Sequence, residues 1–176
     1  FFGKGTAATF RLRKSSQRVS VPFAMLRVFK EIFMQDEYDL QFVSKHLLPH
    51  SVVLDVGANI GLFSCWISNH FPQHSVLAFE PFAGNHEPLI ANLSYAQDKG
   101  GNITLYKKAV TGTPTATVDF YVDLAQPLSD SASCIPGFFN NQHKVTVPAV
   151  ALQQVISQCP QRIGLLKLDC EGSEYD

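Results

Sequence analysis

Apolar and polar residues alternate along the first part of the chain and then recur with a longer period. Between residues 8 and 22, apolar positions such as Phe10 and Val19 alternate with basic ones around Ser15 and Ser16, which predicts two short strands and a turn. From residue 23 the apolar positions fall three or four residues apart, and a second such segment ends near Pro49. We therefore predict that residues 1–50 form a hairpin and helix cap within the same domain as the rest of the chain.

Short apolar runs and helical segments alternate through residues 51–176. The predicted core strands are 51–57, 75–81, 102–110 and 163–169, the predicted helices are 61–71, 83–100 and 149–158, and two inserted β segments cover 115–123 and 144–150. This alternation predicts an α/β domain with a mostly parallel sheet and right-handed crossovers. Because the last apolar strand would leave an open edge, we expect the sheet to be incomplete after its fourth core strand.

Composition narrows the class of protein. The 176 residues are 45% hydrophobic and 16% charged, which excludes a disordered tail or a collagen-like fibre. Arg27, Lys30 and Asp55 interrupt the most apolar regions, so no stretch approaches the roughly 20 residues of a membrane-spanning helix. We expect a cytoplasmic protein without a transmembrane segment.

The net charge of -1 conceals a basic N-terminus. Residues 1–30 carry seven basic side chains and no acidic one, which leaves a balance of -8 for the rest of the chain. A transit peptide, an arm for an anionic partner and a hairpin with a solvated basic face all fit this pattern, and we favour the hairpin. Organelle targeting stays open, and no nucleic-acid partner is expected.

Cysteine and histidine spacing gives no sign of a metal site. The four cysteines lie 69, 25 and 11 residues apart, which predicts free thiols in a reducing compartment. His70 and His74 have helical spacing, but Pro72 between them disfavours a common helix. We predict that the protein has no structural metal.

The first motif with chemical meaning joins the predicted strand at 51–57 to the following helix. It reads Asp55-Val-Gly-Ala-Asn-Ile-Gly61, and ligands of such sheets bind outside the ends of the strands. A dinucleotide fingerprint would need glycine at Asn59 and Leu62, so a pyrophosphate ligand is disfavoured. The pattern better suits a ligand that carries an ammonium and a carboxylate group.

Two further motifs end later strands. Glu80, 25 residues after Asp55, can accept hydrogen bonds from both hydroxyls of a ribose. Lys167 and Asp169 project to one side of the last strand, where a charged pair is costly to bury unless it serves a site, although a structural ion pair is an alternative.

These three motifs, VVLDVGANIGLFS, FEPF and KLDCEGSE, together resemble the FkbM-type family of S-adenosylmethionine-dependent methyltransferases. The likeness extends from about Val28 to the end of the chain. It implies a Rossmann-like class I methyltransferase sheet and residues 51–176 as a C-terminally incomplete domain that binds S-adenosylmethionine.

The resemblance also implies roles for individual residues. Those expected to line the methionine end of the cofactor are Asp55, Gly57, Asn59 and Gly61. Glu80 would hold the ribose, and Ala109 or Val110 would lie where adenine packs.

Asp169 and Glu171 would lie beside the methyl group and the acceptor. Either is a candidate general base for an alcohol acceptor, with Lys167 holding its charge. Alternatively, these acids bind the acceptor or a divalent ion. The polar loop that contains Ser129, Asp130, Ser131, Ser133 and Cys134 fits an acceptor contact and an ordinary surface loop equally well.

We therefore predict an O-methyltransferase that acts on a small molecule, a sugar or a lipid-like acceptor. A non-catalytic binding or scaffold protein with the same fold is the second hypothesis, and a nicotinamide-dependent oxidoreductase is the third. The sequence identifies neither the acceptor nor the oligomeric state.

Overall fold

The computed structural model of the chain describes residues 6–123, 135, 143–159 and 161–169. The helices are α1 (Leu26–Met34), α2 (Leu40–His46), α3 (Leu62–His70), α4 (His86–Gln97) and α5 (Leu152–Gln158). The strands are β1 (Ala7–Arg11), β2 (Arg18–Pro22), β3 (Val52–Val56), β4 (Ser75–Phe79), β5 (Asn102–Tyr106), β6 (Ala109–Thr111), β7 (Thr117–Val122), β8 (His143–Ala151) and β9 (Ile163–Leu168).

Four strands form a parallel sheet in the order β5-β4-β3-β9. β3 is buried along its whole length, as its uninterrupted apolar sequence predicts for a central parallel strand. Because all four strands run the same way, their C-terminal ends meet at one edge of the sheet. The predicted α/β class, the parallel sheet and its helical crossovers are confirmed.

The predicted strand at 102–110 is wrong as one element. The chain forms β5, leaves the parallel sheet at Lys107 and Lys108, and continues as β6, which pairs with β8 in a second sheet of order β6-β8-β7. Two consecutive exposed lysines interrupt the alternation at this point. The predicted helix at 149–158 likewise begins too early, because Ala149–Ala151 complete β8 by pairing with β6.

The two faces of the parallel sheet are covered by different elements. Val53 of β3 belongs to an apolar cluster with residues of α3 and α4, whereas Val52, Leu54 and Val56 pack with Val155 of α5. Side chains alternate along a strand, so Asp55 points to the same face as Val53. This parity directs the Asp55 carboxylate towards α3.

The predicted N-terminal hairpin is confirmed and packs on the α3–α4 face. β1 and β2 pair antiparallel, and Val19 and Val21 share one buried cluster with α3 and α4. The Phe10 ring stacks on Phe29 of α1 with ring centroids 4.1 Å apart. Buried Asn92 of α4 accepts a hydrogen bond from the Ser20 amide at 2.7 Å, which links hairpin and helix.

Cys65 and Cys159 are free thiols, and Cys134 and Cys170 lie outside the described residues. His70 is the last residue of α3, while His74 follows in the next loop and its Nδ1 lies 3.0 Å from the Ser51 carbonyl oxygen. Within the described ranges, none of the helices combines the length and apolarity needed to cross a membrane.

Candidate active site

The loop between β3 and α3 makes a tight turn at the C-terminal edge of the sheet. Gly57, Asn59 and Gly61 all have positive φ angles, of 75°, 51° and 82°. The amides of Gly57 and Ala58 both donate to the Phe79 carbonyl at the end of β4, at 3.0 and 2.9 Å. These bonds hold the loop against the neighbouring strand.

Gly61 has a packing role as well. A Cβ atom at this position would lie 2.8 Å from Leu89 Cδ1 of α4, and the φ of 82° disfavours any side chain. Glycine at 61 is therefore required for α3 and α4 to pack closely.

Glu80 follows β4 and lies beside this loop. Its Oε2 accepts a hydrogen bond from the Asn59 amide at 2.7 Å, and its Oε1 accepts one from the Phe82 amide at 2.8 Å. The side chain is almost completely buried, and burial raises the pKa of Glu80 to about 7 although both amide bonds lower it. The Asn85 side chain is a third donor to this carboxylate, which leaves acceptor capacity for about one more hydrogen bond.

Asp55 and Lys167 form a buried ion pair across β3 and β9. The two residues are register partners, and Lys167 Nζ lies 3.3 Å from Asp55 Oδ1. That contact is an ion pair without good hydrogen-bond geometry, whereas Asp55 Oδ2 accepts a 2.7 Å hydrogen bond from Ser64 Oγ. Lys167 Nζ also donates to the Gly57 carbonyl at 2.8 Å.

Lys167 contacts a second carboxylate at the end of β9. Its Nζ lies 3.4 Å from Asp169 Oδ2, which agrees with the expectation that Lys167 and Asp169 project to one side of the strand. Burial lowers the pKa of Lys167, but the charges of Asp55 and Asp169 outweigh it and the net pKa is raised. Lys167 is therefore a permanent cation, and Asp169 remains half exposed beside it.

A pocket of about 190 Å³ opens above the β3–α3 loop. It is lined by Gly57 and Asn59 of the loop, by Lys167 and Asp169 at the end of β9, and by residues of α1 and the α1–α2 connection. Asn59 Oδ1 is buried and has no hydrogen-bond partner within the described part of the chain. The pocket therefore offers an unused acceptor beside a lysine and a carboxylate.

Tyr38 supplies the aromatic part of the pocket wall. Its ring packs edge-on against Phe63 with centroids 4.6 Å apart, and Trp66 lies 5.9 Å away. Burial raises the pKa of Tyr38, so its hydroxyl stays protonated at neutral pH. The phenol can donate a hydrogen bond into the pocket.

Glu31 and Glu37 make the same wall acidic. Partial burial raises the pKa of Glu37, and the charges of Glu31 and Asp169 raise it further. Arg27 contacts Glu31 at 2.8 Å and offsets one of these charges. The pocket thus combines acids from the N-terminal cap with Asp169 from the sheet.

Other predicted site residues lie elsewhere. Ala109 is buried in β6 among residues of β7 and β8, and Val110 packs against the α5 face of the parallel sheet. Neither lines the pocket. Glu171 and the loop with Ser129, Asp130, Ser131, Ser133 and Cys134 lie outside the described residues.

The sequence motifs do not include three pocket residues of the cap, Glu31, Glu37 and Tyr38. They lie near a turn where Asp36 and Asp39 have positive φ angles of 56° and 46°. Aspartate tolerates that conformation better than most residues, but the spacing of the segment gives no sign of a pocket. The only sequence signal was the likeness of this stretch to the family's N-terminal segment.

Comparison with known proteins gives a family match. A model of the "Methyltransferase FkbM domain" family matches residues 55–176, from the first strand-end acid to the last residue. Methyltransferase 1 of Beauveria bassiana is 26% identical over 175 residues, and methyltransferase sdnD of Sordaria araneosa is 28% identical over 174. Each alignment covers 85% of this chain, which spans 64% and 66% of the two fungal proteins.

A third relative shares a shorter segment. The AMB antimetabolite synthetase AmbE of Pseudomonas aeruginosa is 48% identical over 66 residues, which is 38% of this chain and 3% of that protein.

Proposed function

Because this chain belongs to the methyltransferase FkbM domain family, we propose that it is an S-adenosylmethionine-dependent methyltransferase that methylates a hydroxyl group on a small molecule, a sugar or a lipid-like acceptor. The observation that carries the proposal is the 2.7 Å bond from the Asn59 amide to Glu80. It joins the ends of two neighbouring strands beside a pocket that contains Lys167 and Asp169.

The residues at this edge fit such a donor. The Glu80 carboxylate has acceptor capacity left for a ribose hydroxyl beside its three protein donors, and Asn59 Oδ1 is an unpartnered acceptor among the described residues for an ammonium group. Gly57, Asn59 and Gly61 turn the backbone so that it can approach a ligand closely. When bound, S-adenosylmethionine supplies a methyl group on a positively charged sulfur.

Asp55 and Lys167 would position the β3–α3 loop. They would therefore affect donor binding without touching the donor. Lys167 Nζ holds the Gly57 carbonyl, and Asp55 holds Lys167 in place. A change in this pair would shift the loop that lines the pocket.

Asp169 is the candidate general base for the acceptor hydroxyl. Its carboxylate is half exposed, lines the pocket and lies 3.4 Å from Lys167 Nζ, which can hold its charge. Glu171 is the second candidate for this role. Most of the rate acceleration would come from alignment of the acceptor and exclusion of water.

Residues 1–50 would belong to the same functional unit as the methyltransferase domain. Tyr38 and Glu37 of the cap line the same pocket as Lys167 and Asp169 of the sheet, so the acceptor would contact both the cap and the sheet.

The test is isothermal titration calorimetry with S-adenosylhomocysteine and, separately, with NAD. We expect the wild-type protein to bind S-adenosylhomocysteine and not NAD. Glu80→Gln should weaken that binding about tenfold or more, because charge-assisted hydrogen bonds to the ribose are lost.

Asp119→Asn is the matched control, since it removes an exposed carboxylate outside the pocket. Binding of NAD instead of S-adenosylhomocysteine, or of neither ligand, would overturn the proposed function. Equal affinities of the wild type and Glu80→Gln would overturn only the role of Glu80.

A further inference from the structure

A second concave site lies on the N-terminal hairpin, away from the pocket described above. Its volume is about 300 Å³, within the range of small-ligand pockets, and its walls come from the hairpin, the last turn of α4 and the two residues that follow α4. The lining residues are Arg11, Ser16, Arg18, Tyr95, Asp98 and Lys99. Because α4 runs from the end of β4 back to the start of β5, this cleft lies at the edge where the parallel strands begin.

The charge of the hairpin cleft is strongly positive. Arg11, Arg18 and Lys99 are opposed by the carboxylate of Asp98 alone among the lining residues. Within the described ranges, none of the three cations makes a salt bridge, in contrast to Arg27, Lys144 and Lys167. The resulting net charge of about +2 in a concavity attracts an anion more strongly than the same charge on a flat surface.

The hairpin register places two of these cations side by side. Arg11 and Arg18 are direct partners in the antiparallel pair, so their side chains leave the same face of the hairpin. Like charges at directly opposed positions repel each other and destabilise a sheet. An anion between the two guanidinium groups would turn this repulsion into two attractive contacts.

Arg18 also contacts an aromatic ring of α4. Its guanidinium carbon lies 4.6 Å from the centroid of the Tyr95 ring, a cation–π contact. A guanidinium group carries a fork of N–H donors that suits paired hydrogen bonds to a tetrahedral oxyanion. A preoriented arginine loses less conformational freedom when it binds a ligand.

We propose that the hairpin cleft is a binding site for a phosphate group, distinct from the methyl-transfer pocket. Arg11 and Arg18 provide the main contacts, and Lys99 adds a third charge. A free phosphate compound and the headgroup of an anionic lipid present the same chemistry, and the test separates these two sources.

The test uses the double variant Arg11→Gln/Arg18→Gln. Its matched control is Lys45→Gln/Arg162→Gln, which removes two exposed positive charges outside the cleft. Binding is measured by calorimetry with inorganic pyrophosphate at constant ionic strength, and by co-sedimentation with phosphatidylcholine vesicles that contain or lack phosphatidic acid. Thermal unfolding without ligand checks the fold of each variant.

We expect the wild type and the control to bind pyrophosphate, vesicles with phosphatidic acid, or both, and the cleft variant to bind at least about tenfold more weakly. Binding of pyrophosphate alone identifies a soluble ligand, and binding of vesicles alone identifies a lipid headgroup. The unfolding temperature of the cleft variant should stay close to that of the wild type, because relief of the Arg11–Arg18 repulsion offsets the loss of the Arg18–Tyr95 contact.

Two results would overturn the proposal. One is equal binding by the wild type and a folded cleft variant, or binding by neither. The other is an equal loss in the control variant, which would show that only the overall charge matters.

Discussion

Asp55 and Glu80 are buried carboxylates on neighbouring strands, yet their surroundings differ. Asp55 lies 3.3 Å from Lys167 Nζ and accepts a hydrogen bond from Ser64. Glu80 is held by two backbone amides, and burial raises its pKa to about 7. Buried Asp55 is committed to its ion pair and to Ser64, whereas Glu80 is held by uncharged donors, which are two backbone amides and the Asn85 side chain, and keeps acceptor capacity for a ligand.

The largest effect should follow from removal of the cation beside Asp55. Lys167→Met would leave Asp55 buried without a counter-charge, and we expect the free energy of unfolding to fall by about 3–5 kcal/mol. Urea denaturation measures this loss.

Two further variants sharpen this prediction. Lys144→Met removes a lysine from an exposed ion pair with Asp119 and should change stability little. The double variant Lys167→Met/Asp55→Asn should recover part of the loss. Similar losses of stability in the single and double variants would mean that the unpaired charge of Asp55 does not cause the loss.

Glu80 should show its difference from Asp55 in the pH dependence of stability. The native state retains the Glu80 proton up to about pH 7, whereas the unfolded chain releases it near the ordinary glutamate pKa of 4.5. The native state therefore binds more protons in this interval, and its free energy of unfolding falls as pH rises, by about 3 kcal/mol.

The side chain in Glu80→Gln cannot ionise. The free energy of unfolding of this variant, relative to that of the wild type, should therefore increase as pH rises from 4.5 to 7. Denaturation curves of both proteins across this interval give the difference directly. Parallel stability profiles would show that Glu80 titrates normally.

Asp169 shares Lys167 with Asp55 but is half exposed, so its effect should be on rate and not on stability. We expect Asp169→Asn to reduce turnover about a hundredfold or more, because a positioned base is lost. Formation of S-adenosylhomocysteine with a panel of hydroxyl-bearing sugars and lipids measures turnover, and calorimetry checks donor binding. Unchanged turnover with intact donor binding would remove the base assignment and favour a binding role.

Much of the parallel sheet was predictable from local patterns. β3 and β4 are apolar runs that end at turn residues, and each is followed by a predicted helix, α3 and α4. The prediction failed between Tyr106 and Ala109, where Lys107 and Lys108 interrupt the alternation and the chain changes sheets. Pairing between β6 and β8 decides that change, and it depends on contacts about 40 residues apart in the sequence.

Local sequence patterns predicted only part of the candidate site. The motifs contain Asp55, Glu80 and Lys167, but they do not indicate that Lys167 holds the Gly57 carbonyl. Tyr38 escaped notice because it belongs to no strand-end motif. It reaches the pocket because α1 packs on α3, which positions the α1–α2 connection beside the loop.

The sequence by itself determined the α/β class, the hairpin and the strand-end acids, because these depend on residue periodicity and on the residue that ends each strand. Tertiary structure alone decided which of the acids is paired with a cation, and it formed the second pocket wall and the hairpin cleft. Those features depend on distances between side chains far apart in the chain, and only the packing of the sheet, the helices and the hairpin sets such distances.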